Sequence, residues 1–235
     1  MTPEKIRQLY DADYAETYDE KFLHAALVRP DTEFEVSTLR QLLEPGGPWL
    51  DVACGTGYFL SQFPGVERAG LDLSKAMLGK AAARNHGVKF FNQSYLDPMP
   101  LWVDRWKLVS CMWYAYGLVS TMAEIRQWVE NLATWTAPDG VCFVPICDPS
   151  LLSGVRLPYE VSGRLWDGQI VVTGITWSYV ESGKSVHEHM FAPHMSHMLS
   201  LFKEHFEQID LVTYPSTRQG LVARKKRAPM VGSRF

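Results

Sequence analysis

The sequence predicts an α/β fold built on a doubly wound, mostly parallel sheet, and three observations carry that expectation. Short apolar strands alternate with amphipathic helices from about residue 49 to residue 148, the rhythm of a parallel sheet covered on both faces. The stretch "LDVACGTGYFL", Leu50 to Leu60, ends one such strand on an acid and turns on Gly55 and Gly57 into a helix. After residue 160 the alternation stops, and antiparallel strand patterns precede one last helix and two further strands.

At the N-terminus Ile6, Leu9 and Tyr10, followed by Tyr14, Tyr18 and Phe22 at i+4 steps, predict an amphipathic helix over residues 4–29. Pro30-Asp31 breaks it, and a second helix runs from about Thr32 to Leu43. The first strand is Trp49–Val52, and the helix after the glycine turn reaches about Phe63. "RAGLDLS" is a second strand ending in Asp72, with Ser74 as N-cap of a helix to Asn85. "VKFFNQSYL" and "WKLVSCMW" are the third and fourth strands, and residues 120–135 form a helix with Ile125, Trp128, Val129 and Leu132 on one side. Pro138-Asp139-Gly140 turns the chain into "VCFVPIC". Residues 150–193 are expected to form an antiparallel insertion: "QIVVTGITWSYVE" and "SVHEHMFA" joined at Ser182-Gly183-Lys184, with "YEVSGRLW" as a third strand. The helix "HMSHMLSLFKEHF" and the strands "EQIDLVTY" and "GLVARK" close a single domain over residues 1–235.

Composition narrows the partners. With 235 residues, 46% of them hydrophobic, the chain can bury one sizeable core. A net charge of −3 gives no reason to expect nucleic acid or an anionic membrane, and the basic run Arg224–Arg227 reads as the solvated end of the last strand. Cys54, Cys111, Cys142 and Cys147 form no Cys-x-x-Cys pair and read as small core residues of a reducing compartment. The charged N-terminus has no export signal, and the uncharged stretch 108–123 falls short of the ~20 apolar residues of a spanning helix. A soluble, cytoplasmic protein is expected.

Two ligand classes use a strand–glycine–helix turn at the carboxyl edge of a parallel sheet. A dinucleotide asks for Gly-x-Gly-x-x-Gly, and here the third glycine is Leu60. Asp51 instead puts a carboxylate beside the cradle, which suits a cationic ligand. Asp72, at the end of the next strand, is placed to bond ribose hydroxyls. At this point the chain resembles the class I S-adenosylmethionine-dependent methyltransferases. "LDVACGTG" is similar to their first motif, with Ala53 for the commoner first glycine. "GLDLSKAML", "DRWKLVSCMW" and "WTAPDGVCFVP" are similar to later motifs in the same order.

The resemblance implies a Rossmann-like, seven-stranded, mostly parallel sheet with a C-terminal antiparallel strand pair, and S-adenosylmethionine as cofactor, released as S-adenosylhomocysteine. It places Asp51 near the methionyl end, backbone at Ala53, Gly55 and Gly57 along the tail, Asp72 on the ribose, and Leu73 and Met77 at the adenine. Ser94 and Tyr95 stand where the family often has an aspartate reaching the adenine, and Met112 and Trp113 form a floor beside the sulfonium. Tyr14 and Tyr18 fit an N-terminal lid over residues 1–45; packing of an amphipathic helix is the other reading.

Methyl transfer is an in-line displacement that needs an aligned acceptor and excluded water. The acceptor side is aromatic and nearly uncharged, with Trp113, Tyr114, Tyr116, Trp166, Trp177 and Tyr179, which suits an oxygen or nitrogen of a small molecule. Among small-molecule enzymes the resemblance is nearest to those acting on nucleotide-linked amino sugars. They commonly carry a His after the glycine of "CMWYAYGLV", where this chain has Leu118. A macromolecular acceptor and a non-catalytic cofactor-binding protein are the alternatives. In "HEHMFAPHMSHM" alternation puts His187 and His189 on one strand face. His189 is the candidate base, with Tyr116 as its rival. No metal is expected, because no Cys or placed carboxylate completes a site. The insertion is also the surface through which two copies could pair as a homodimer.

Overall fold

The computed structural model describes residues 1–148, 163–165, 168–170, 174–181, 184–216 and 218–228. Five parallel strands form the centre: β1 (Trp49–Val52), β2 (Arg68–Asp72), β3 (Lys89–Asn92), β4 (Trp106–Cys111) and β5 (Thr136–Ile146). The sheet is completed by β10 (Phe206–Thr213) and β11 (Gln219–Lys226), in the order β10-β11-β5-β4-β1-β2-β3, with β11 antiparallel to both its neighbours. Strand order reverses at β1, which pairs with β2 on one side and β4 on the other. A crevice therefore opens beyond the carboxyl ends of these strands.

Strand alternation divides the core between the two faces. Leu50, Val52, Val109, Cys111, Cys142 and Val144 pack with helices α6 (Met122–Trp135) and α7 (Met195–His205). Trp49, Leu108, Phe143 and Val222 pack in a second cluster with Leu39 of α3 (Arg29–Leu43), Leu60 of α4 (Tyr58–Ser61) and Leu78 of α5 (Lys75–Arg84). All four cysteines are buried and unbonded. The helix starts follow the sequence: Ser74 Oγ accepts the Met77 amide, and Thr121 with Glu124 forms a reciprocal capping box on α6.

Four expectations need correction. The N-terminal helix is two, α1 (Pro3–Leu9) and α2 (Ala12–Phe22), because the Asp11 side chain caps the second by accepting the Tyr14 amide at 2.9 Å. Pro30 starts α3 instead of breaking a helix, since a proline in the first turn sacrifices no hydrogen bond. Helix α4 stops at Ser61, short of Phe63, which precedes Pro64 and is pushed from helical geometry. Pro138-Asp139-Gly140 lies within β5, as an irregularity between the pairs Trp106–Thr136 and Leu108–Val141.

In the 150–193 region, β8 (Gly174–Glu181) and β9 (Lys184–Pro193) form the expected hairpin, and Ser182-Gly183 of its turn lie outside the described residues. The proposed third strand does not join it: β6 (Gly163–Leu165) pairs with β7 (Gly168–Ile170). Trp166 lies outside the described residues, and Trp177 and Tyr179 are on β8. The hairpin sits over residues 115–118, where a Cβ on Gly117 would stand 2.8 Å from the Phe191 carbonyl oxygen. Among the described residues no helix is long and apolar enough to cross a membrane.

Candidate active site

The turn after β1 holds three residues in the left-handed region: Ala53 at φ +55°, Gly55 at +54° and Gly57 at +68°. Ala53 occupies a conformation a glycine adopts at no steric cost, so its presence stores about 1–2 kcal/mol of strain. Gly57 has another task than the one assigned from sequence. A Cβ there would lie 2.7 Å from Asn85 Nδ2 and 2.9 Å from Ala81 Cβ, both on the α5 side. Asn85 Nδ2 also donates to the Gly57 carbonyl at 3.0 Å. Gly57 thus lets α5 close against the turn, and it does not line the cavity; Ala53 and Gly55 do.

The cavity at the strand reversal has two anchored carboxylates. Asp51, on β1, is buried, and its Oδ1 accepts the Ser110 hydroxyl at 2.7 Å. Ser110 on β4 in turn accepts Trp49 Nε1 at 2.9 Å. Burial pushes the Asp51 carboxyl up to about 7, against the Ser110 hydrogen bond, which holds it down. Asp72, at the end of β2, accepts the Gly55 amide at 2.9 Å and the Ser74 amide at 2.8 Å, one on each oxygen. Burial raises its pKa while those amides oppose the shift. Asp51, Asp72 and Glu124 line the cavity, with no lysine, arginine or histidine side chain among the described lining residues. That donor set fits a cation.

The other walls are largely those expected. Leu73 and Met77 lie beyond β2, Ser94 and Tyr95 beyond β3, and Met112 and Trp113 beyond β4. Tyr95 is fixed by its hydroxyl donating to the Ala115 carbonyl at 3.0 Å and by Asn131 Nδ2 donating to its own carbonyl at 2.8 Å. The Ser94 hydroxyl accepts the Leu96 amide at 3.1 Å and so shapes its own loop. Tyr18 and Tyr10 close the cavity from the N-terminal side. Asp19 fastens α2 to the turn by accepting the Thr56 hydroxyl at 2.5 Å and pairing with Arg84 of α5; Lys80 and Glu16 form a second pair. Tyr14 stands behind this wall, its ring 5.5 Å from that of Tyr10 and 6.2 Å from those of Tyr18 and His187.

Neither residue expected to move a proton faces the cavity. Tyr116 is wholly buried, its hydroxyl accepting the Cys147 amide at 2.8 Å and its ring 5.0 Å from that of Trp128. His189 is exposed, at φ +54°. The hairpin register explains it: Trp177 pairs with Met190 and Tyr179 with His187, so Ser178 faces both Glu188 and His189. This β-bulge inverts the alternation, and the inward residues are His187 and Met190, both buried. Tyr10 and His187 are the site residues that sequence reasoning missed. The i+4 series through Tyr14 and Tyr18 already contained Tyr10. His194 and Asp148 are separately engaged at the start of α7, where Asp148 Oδ2 accepts the Met195 amide at 2.7 Å. The described residues contain no cluster of three metal-ligating side chains.

Comparison with known proteins agrees with this geometry. Residues 50–140 match the methyltransferase domain family. A dTDP-3-amino-3,6-dideoxy-alpha-D-glucopyranose N,N-dimethyltransferase of Streptomyces fradiae is 32% identical over 178 residues, covering 72% of this chain and 66% of that protein. Such matches span 55% to 66% of the length of the curated relatives. The crystal structure of Streptomyces venezuelae DesVI superposes with a TM-score of 0.65 at 23% identity, over 92% of this chain and 99% of that one. SAM-bound CalS10, an amino pentose methyltransferase from Micromonospora echinaspora involved in calicheamicin biosynthesis, superposes at 0.59 with 20% identity, over 82% and 89%. These superpositions establish a shared fold. With the ordered motifs, the sheet order and both strand-end carboxylates in or beside the matched span, residues 50–140 are a methyltransferase domain of the class I S-adenosylmethionine-dependent family.

Proposed function

We propose that the chain transfers a methyl group from S-adenosylmethionine to an amine of a nucleotide-linked deoxyamino sugar. The observation that carries the reading is the cavity at the strand reversal, walled by Asp51, Asp72 and Glu124 and free of lysine, arginine and histidine side chains among its described lining. Both the cofactor and an ammonium acceptor bring positive charge to it. S-adenosylmethionine supplies a methyl carbon already activated by its sulfonium. Asp72, oriented by two backbone amides, would accept from the ribose hydroxyls, and the Ala53–Gly55 backbone would run along the amino-acid tail. Asp51 would face the positive charge at that end. The nitrogen acceptor is supported by the relatives, named as amino-sugar N,N-dimethyltransferases. The acceptor would approach over Met112 and Trp113, beneath Leu118 and Met190, while Tyr10 and Tyr18 exclude water.

The test is turnover with paired acceptors. The chain is incubated with S-adenosylmethionine and dTDP-linked deoxysugars carrying either an amine or a hydroxyl at the same carbon. S-adenosylhomocysteine release and product mass are then followed. Amine acceptors should gain one and then two methyl groups. Turnover of hydroxyl acceptors alone would overturn the nitrogen assignment, and binding of NADH in place of S-adenosylhomocysteine would overturn the cofactor.

A further inference from the structure

Methylating an amine raises a proton problem. The acceptor arrives as an ammonium, which has no lone pair to attack with, and each methylation returns the nitrogen to a cationic state. A proton must leave before every transfer. The three cavity carboxylates are already engaged: Asp51 by Ser110, Asp72 by two amides, and Glu124 by the Ser120 and Thr121 amides of the α6 cap. Leu118, also on the wall, offers no proton acceptor.

Tyr10 and His187 do offer one. Tyr10 lies on the cavity wall between α1 and α2, fixed where its carbonyl accepts the Ser74 hydroxyl at 2.5 Å. Its hydroxyl lies 2.9 Å from His187 Nε2, which β9 delivers through the inverted side of the bulge. The imidazole is buried among aromatic rings, with centroids 5.6 Å from Tyr10, 6.2 Å from Tyr14 and 6.4 Å from Phe22. Such a surround stabilises an imidazolium by cation–π attraction.

We infer that Tyr10 and His187 form a proton relay for the acceptor amine, an inference that rests on the amine reading above. The ammonium gives a proton to Tyr10 Oη as the Tyr10 hydroxyl proton moves to His187 Nε2. This leaves a neutral amine, an intact tyrosine and an imidazolium. The nitrogen lone pair then forms the N–CH3 bond, and the S–CH3 bond breaks with its electron pair retained on sulfur. Burial, followed by the neighbouring Tyr18, Tyr14, Asp72 and Tyr95, lifts the Tyr10 hydroxyl far above its ordinary range. The tyrosine therefore passes a proton in concert instead of ionising first.

The experiment compares the full chain with Tyr10→Phe and His187→Gln on an amino-sugar acceptor, measuring kcat and KM from pH 6 to 9.5. S-adenosylhomocysteine calorimetry controls for an intact site. Both variants should bind the product within a few-fold of wild type and lose about 10²-fold or more in kcat near pH 7. The deficit should shrink as pH rises through the acceptor's own ammonium pKa, because a free amine needs no relay. A deficit equal at every pH, or confined to KM, would reduce the pair to packing and overturn the inference. If His187→Gln does not fold, Tyr10→Phe, which removes only a hydroxyl, decides alone. A wild-type chain that methylates hydroxyls but no amine removes the amine reading and the relay together. Amine turnover with pH-independent deficits removes only the relay.

Discussion

Asp72 accepts two backbone amides of the site it would also use to hold ribose, so its removal is expected to register in two measurements. Asp72→Ala should weaken S-adenosylhomocysteine binding by about 1.5–3 kcal/mol, the worth of a charge-assisted hydrogen bond, or roughly ten- to a hundredfold. It should also lower the melting temperature, because the Gly55 and Ser74 amides lose their acceptors. Unchanged affinity by calorimetry would remove Asp72 from the binding site. At Gly57 the expectation is reversed in kind. Gly57→Val should cost about 2–4 kcal/mol of stability, from a branched side chain at positive φ and from overlap with Ala81 and Asn85. A folded, fully stable Gly57→Val protein would show that α5 can retreat from the turn. Both residues were legible in the sequence as parts of a glycine turn with strand-end acids. What the sequence could not distinguish is which glycine faces ligand and which faces a helix, since that depends on where α5 packs.

The elements were legible where a local signal dictated them and illegible where tertiary contacts did. The parallel core, the Ser74 cap and the closing strand pair follow from periodicity and capping chemistry. The β9 bulge does not, because strict alternation through "HEHMF" predicts one face for His187 and His189. Only the pairing with β8 reveals the extra residue. Tyr116 likewise reads as a pocket aromatic until the Cys147 amide claims its hydroxyl. Helix α2 depends on its tether, since at 11 residues it falls below the length at which isolated helices persist in water. Asp19→Ala removes both the Thr56 bond and the Arg84 pair. Amide hydrogen exchange in α2 should then accelerate roughly five- to thirtyfold, equivalent to about 1–2 kcal/mol, while the sheet amides stay protected. Equal protection in variant and wild type would mean that ring packing alone holds the helix down.

At the scale of the whole molecule, buried acids link stability to pH. Glu35 on α3 is buried and accepts the Tyr214 hydroxyl at 3.1 Å, and burial lifts its carboxyl to about 8. Its unfolded pKa is about 4.3. Between these values the native state binds the extra proton, so ligand-free stability should fall as pH rises from about 4 to 8 and level off above. Asp51, at about 7, acts in the same direction. Glu35→Gln removes one such group, so its melting temperature relative to wild type should climb between pH 5 and 8.5. A difference that stays constant with pH would contradict the buried, proton-holding state. The same helix also shows how far the chain reaches to complete itself. Tyr10 meets His187, Glu35 meets Tyr214 and Asp31 meets Arg218, across separations of 177, 179 and 187 residues. On a ribosome adding ~5–20 residues per second, the first helices made wait on the order of ten to forty seconds for the partners that hold them. Until β9 and the β10–β11 turn emerge, the short α1 and α2 have no surface to dock on, so competence to bind ligand is acquired last in synthesis and reports that the chain has folded to its far end.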